Sequence, residues 1–167
     1  MGVALHIADD DGRARDALRA ILGDSNVNAE TLLATDYLNH FNEVVMLLDL
    51  VADMPECLED LRDWAPKSYE QHFLDSGLSD RQLAVEAYRL SPRQFREPFD
   101  YAVERMDRLV SRSITEMGTA DPEAAAAIAL ATCTALQRLI DVASGLIHGR
   151  DVALDQDAID RVIGDDA

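Results

Sequence analysis

Lysine is nearly missing from this chain: its 15 basic side chains are 14 arginines and Lys67, against 32 aspartates and glutamates, a formal charge of −17 over 167 residues. That surplus argues against nucleic acid, where affinity comes mostly from lysine and arginine neutralising phosphates. It disfavours anionic membrane surfaces for the same reason. Cysteine is scarce too, and Cys57 and Cys133 have no second cysteine or histidine at zinc-finger spacing, so both read as buried free thiols. With 8 glycines, 5 prolines and 48% hydrophobic residues, a collagenous, disordered or low-complexity chain is excluded. Long apolar runs are absent: the weakly polar stretch Ala124 to Leu136 is about 13 residues, short of the roughly 20 that a membrane span needs. Between Met1 and Leu22 the charges of Asp9, Asp10, Asp11, Arg13, Arg15 and Asp16 break up the apolar segment an export signal requires, so a cytoplasmic setting is expected. There is no Gly-x-Ser-x-Gly elbow, phosphate-binding glycine loop, Cys-x-x-Cys or His-Glu-x-x-His, and no cofactor is expected.

Helical periodicity dominates what is there, and no segment shows the sustained two-residue alternation of a half-buried strand. The expectation is an all-α, single-domain helical bundle of three to four main helices plus short peripheral helices. It would span residues 1–149, followed by an acidic segment, 150–167. A chain of this length buries enough surface to hold one core without a staple. A first helix is predicted over Gly12 to Leu22, with Ala14, Ala17, Leu18 and Ile21 on one face and Gly23 ending it. A long second helix is predicted from near Asn28, with Leu33, Tyr37, Phe41, Val44, Leu48 and Val51 as its apolar stripe. Pro55 opens a shorter helix through Trp64, and the mixed stretch from Ala65 to Gly77 reads as a loop with one turn around Tyr69 to Phe73. Ser79 with Gln82, and Ser91 with Gln94, have the spacing of capping boxes for two further helices. Phe95, Phe99, Ala102, Met106, Leu109, Ser113 and Met117 form the core stripe of the second of these, with Pro98 able to kink its first turn. Asp121-Pro122-Glu123 starts a last helix that is apolar on more than one face, with His148 as its C-terminal cap, and is expected at the centre of the bundle.

Asp36, Asn39, His40 and Glu43, at offsets 0, 3, 4 and 7, share one face of the predicted second helix. Two chemistries suit them. Asp36 and Asn39, an acid and a carboxamide one turn apart, can position water for attack on a phosphoryl group held by a partner, a reaction in which positioning is most of the work. Alternatively, His40 and Glu43 can contribute to a metal site, although di-iron bundles place Glu-x-x-His motifs on two facing helices and this His-x-x-Glu is reversed and solitary. A plain solvated helix face accounts for the same residues.

The segment Leu154-Asp155-Gln156-Asp157-Ala158-Ile159-Asp160-Arg161-Val162-Ile163 resembles the peptide by which chemotaxis proteins of the FliM and CheZ type dock on the response regulator CheY. The match falls on Gln156, Asp157, Ile159 and Asp160, and Val162-Ile163 stand where that peptide has paired leucines. The resemblance implies a protein partner, a response regulator, bound through Leu154, Gln156, Asp157, Ile159, Asp160 and Ile163. It also implies at most a phosphoaspartate phosphatase activity, with Asp36 and Asn39 as the catalytic pair. Here the chain departs from CheZ, whose motif is Asp-x-x-x-Gln, and comes nearer the acid-x-x-Asn of the CheC and CheX phosphatases. Two further readings stand beside this one: the segment folds back with Leu154, Ile159 and Val162 on its own bundle, or the chain is a structural protein that forms homo-oligomers.

Overall fold

A computed structural model describes residues 2–150 and 159–161, with side chains from position 10 onward. The fold is all-α, 75% helical and without strands among the described residues. Among the described residues, seven α-helices precede position 150: α1 (Gly2–Ile21), α2 (Asn39–Leu50), α3 (Cys57–Asp63), α4 (Tyr69–Asp75), α5 (Arg81–Leu90), α6 (Arg93–Thr119) and α7 (Pro122–Ile147). A 3-10 turn, Thr35–Leu38, leads directly into α2.

The frame is the hairpin of α6 and α7, the most extensive helix pairing in the molecule. Asp121 caps α7 by accepting the Ala124 N–H at 2.9 Å, and Pro122 sits where its missing N–H costs nothing. Along the hairpin Phe95, Phe99, Ala102, Met106, Val110 and Met117 of α6 are buried, and the helix continues unbroken through Pro98. On its other side α7 meets α2, with Cys133 Sγ 3.9 Å from the Val45 carbonyl. Thus α7 is flanked on two sides, not enclosed: Leu130 is 67% exposed. Among the described residues α7 is the one helix long and apolar enough to cross a membrane by length and composition. The buried contacts of Leu136, Leu139, Ala143 and Leu146 give its apolar side an occupant within the bundle.

Several boundaries differ from the periodicity. α1 begins at Gly2, ten residues before the expected start, because one helical glycine costs only about 1 kcal/mol and Gly12 does not break the helix. Ile21 faces outward, and Leu18 with Leu22 makes the contact instead. The second helix does not start near Asn28. There the Asn28 side chain accepts the N–H groups of Glu30 and Thr31 at 2.9 and 3.0 Å, and Val27 and Ala34 form an antiparallel bridge. Leu32, fully buried, takes φ +59°, a left-handed conformation uncommon for its side chain. Neither serine box forms: Ser79 donates to Asp80 Oδ1, and buried Ser91 donates to the Thr31 carbonyl at 2.6 Å. Thr31 in turn donates to the Ile147 carbonyl at 2.6 Å, tying this loop to the end of α7. Gly145 accommodates the Arg150 side chain, not a neighbouring backbone. His148 is the C-cap of α7, its ring Nδ1 2.7 Å from the Ser144 carbonyl.

Residues 159–161 are helical and return to the bundle. Ile159 is fully buried in the core, and the Tyr101 hydroxyl donates to Asp160 Oδ1 at 3.1 Å.

Candidate functional site

The four polar residues expected on one face differ in burial: Asp36 is half-buried, Asn39 and Glu43 are exposed, and His40 is buried. Asp36 lies in the 3-10 turn, half-buried, and Asn39 opens α2, exposed, its Oδ1 accepting from Asn42 Nδ2 at 3.4 Å. Three residues per turn in the 3-10 segment bring Asp36 and Asn39 above one another, and the shift to α geometry then carries His40 inward while Glu43 stays out. His40 stacks on Trp64 with centroids 4.9 Å apart, and its Nε2 has no hydrogen-bond partner. Burial, reinforced by the nearby His72 and Lys67, lowers the His40 pKa to about 4, with the Ala65 carbonyl opposing. Among the described residues no three His, Cys, Asp or Glu side chains gather as a metal needs, and His40 is buried while Glu43 is exposed. Of the expected docking residues, Ile159 and Asp160 are engaged with the chain's own core and Tyr101. Leu154, Gln156, Asp157 and Ile163 lie outside the described residues.

A cleft of about 340 Å³ lies between the start of α4 and the flank of α6. Its floor is aromatic. Tyr37 from the 3-10 turn, Tyr69 from α4 and Tyr88 from α5, three of the chain's 4 tyrosines, meet Phe99 of α6 there. Tyr69 and Tyr88 stack at 4.5 Å and 16°, and Phe99 stands edge-on to Tyr37 and Tyr69 at 6.0 and 5.9 Å. The hydroxyls are committed: Tyr37 donates to the Lys67 carbonyl at 2.7 Å, Tyr88 donates to Asp100 Oδ1 at 2.9 Å, and Tyr69 accepts the Ala34 N–H at 2.8 Å. Burial holds all three phenols well above their usual range, so they remain neutral.

The wall is acidic. Asp100, Glu104 and Asp107 occupy positions i, i+4 and i+7 of α6 and line the cleft together. Asp100 is raised by burial, against the Tyr88 hydrogen bond and the Arg96 charge, and Glu104 pairs with Arg108. Asp107 is different: its Oδ1 is shielded from solvent and has no partner. Burial first, then the Glu104 charge, raises its carboxyl from 3.8 to about 6. Lys67 lines the rim, but its ammonium turns to Asp75 at 3.2 Å. The site is therefore a cleft backed by aromatic rings, with three carboxylates on one wall and the paired Lys67 at its rim.

The sequence carried one sign of this cleft that the periodicity reading passed over: an acidic stripe at 100, 104 and 107 beside the buried stripe of α6. Convergence of tyrosines from three separate elements has no local signal. No protein-family model matches the chain, and no curated protein or solved structure matches it significantly.

Proposed function

We propose that this protein is a binding module that works by contact with a positively charged partner protein, received at the cleft between α4 and α6. The observation that carries the reading is the juxtaposition of the Asp100, Glu104 and Asp107 wall with a preformed aromatic floor. Three of its polar lining groups are carboxylates, and Asp107 Oδ1 has no hydrogen-bond partner. The charge of −17 adds attraction at longer range and speeds encounter with a basic surface. Binding of peptides carrying a basic run, against uncharged peptides of equal length, tests the reading on the wild type and on an Asp100→Asn/Asp107→Asn double variant. Salt-sensitive binding that the double variant loses supports it; equal binding by both proteins rejects it.

A second reading, a response-regulator partner or phosphatase, is favoured by Asp36 and Asn39 standing one turn apart beside solvent. In it Asn39 orients water and Asp36 holds its proton. Docking through the acidic C-terminal segment would require Ile159 to leave the core and Asp160 to release Tyr101. Phosphate release from a phosphorylated receiver domain, compared with Asn39→Ala and with deletion of residues 156–163, tests it. No acceleration by the wild type rejects it.

A further inference from the structure

We infer that the cleft takes an unbranched alkylammonium, its methylene stem against the partly exposed side chains of Tyr88 and Val103 and its ammonium at the Asp107 carboxylate. This rests on the reading above and specifies the cationic group.

The shape and the donor count carry it. About 340 Å³ lies at the small end of ligand pockets, enough for a stem and a head group but not for a folded segment. Tyr37 and Tyr88 have committed their hydroxyl protons, which leaves the hydroxyls of Ser68 and Tyr69 as neutral donors beside three carboxylates, so a cationic donor is the occupant that the lining matches best. An ammonium is a donor with no acceptor of its own, and a lysine-like stem packs on apolar surface.

The carboxylates further discriminate between cations. A guanidinium binds best as a planar fork that engages both oxygens of one carboxylate. Here each carboxylate has one oxygen occupied or withdrawn: Asp100 Oδ1 accepts from Tyr88, Glu104 Oε1 accepts from Arg108, and Asp107 Oδ1 is shielded. A compact ammonium needs only one oxygen from each. The three acids lie on successive turns, with axial rises of about 6 and 4.5 Å between them, so a second ammonium on the same aliphatic chain would fall near Asp100. The chemistry is shared by free polyamines and by lysine side chains of a partner.

Calorimetric titration at low salt with spermidine, an oligolysine peptide and an oligoarginine peptide of equal length tests the inference. Wild-type protein should bind the ammonium ligands about tenfold more tightly than oligoarginine, and Asp107→Asn should weaken them about tenfold. Glu123→Gln makes the same charge change on an exposed residue at the start of α7, beyond the C-terminal end of α6, and should leave binding unaltered. Equal weakening by both variants, or undiminished binding by Asp107→Asn, overturns the inference by showing unspecific attraction. Oligoarginine binding as tightly as oligolysine overturns the ammonium preference while the basic-partner reading stands. Spermidine bound with neither peptide bound upholds the alkylammonium site and rejects the partner-protein reading.

Discussion

Inside the α6–α7 interface the Thr132 hydroxyl donates to Ser113 Oγ at 2.8 Å, and Ser113 donates onward to the Leu109 carbonyl at 2.7 Å. The relay gives two buried hydroxyls their partners and fixes the register of the hairpin. Its two ends are unequal. Ser113→Ala leaves Thr132 without its acceptor and should cost about 1–2 kcal/mol, whereas Thr132→Val keeps the shape, leaves Ser113 bonded to Leu109, and should cost less than about 1 kcal/mol. Denaturant midpoints of the two variants read the difference directly; a larger loss for Thr132→Val would contradict the direction of the relay.

His40 should make stability sensitive to mild acid. Its folded pKa is about 4 against an ordinary 6.5, so between those values the unfolded chain binds the proton and the folded one does not. Stability is therefore full above about pH 6.5 and falls as the pH drops toward 4, by up to about 3 kcal/mol. Melting temperatures of the wild type and of His40→Phe, each at pH 7.5 and 5, isolate the contribution. A wild type that loses no more stability than His40→Phe would count against a neutral, buried imidazole beside Trp64.

Asp107 carries the opposite sign. Its folded pKa is raised from 3.8 to about 6, so the folded state holds the proton more tightly and the favourable contribution disappears as the pH rises through that window. Asp107→Asn should then stabilise the protein at pH 7.5 by about 1–2 kcal/mol, a figure discounted for the solvent-open cleft, and by little at pH 4. Urea denaturation at both pH values checks it. The same substitution is expected to weaken binding, so a more stable and less competent protein is the outcome to look for.

Crowding along α7 can be mapped with leucine. Ala143 is fully closed in, and Ala143→Leu should overpack the core at about 1–3 kcal/mol. Ala135 is only half-buried. Ala135→Leu should cost under about 1 kcal/mol, a smaller effect than periodicity alone suggests. Thermal melts of the pair give the answer.

The inward pattern of the chain was more legible than its boundaries. Leu33, Tyr37, Phe41, Val44, Leu48 and Val51 are all buried, although only three of them lie within α2. The stripe survives because the Asn28 loop and the 3-10 turn keep facing the same core, while the loop itself depends on a side-chain capture and a strained Leu32 that periodicity does not register. Ser79 and Ser91 misled in the same way: hydroxyls expected to cap helices found better acceptors, Ser91 one 60 residues away. The candidate cleft was still less visible, since Tyr37, Tyr69 and Tyr88 belong to three elements brought together only by packing. Asp36 and Asn39 are neighbours in sequence and so are visible there; the unpartnered Oδ1 of Asp107 is visible only in the fold.

Lys67 is the one lysine in the chain, and it stands at the mouth of the cleft. Among the side chains, then, amine-directed chemistry has a single address. A small dye coupled there would sit beside the tyrosines, and its fluorescence would report occupancy of the cleft without any engineered attachment point.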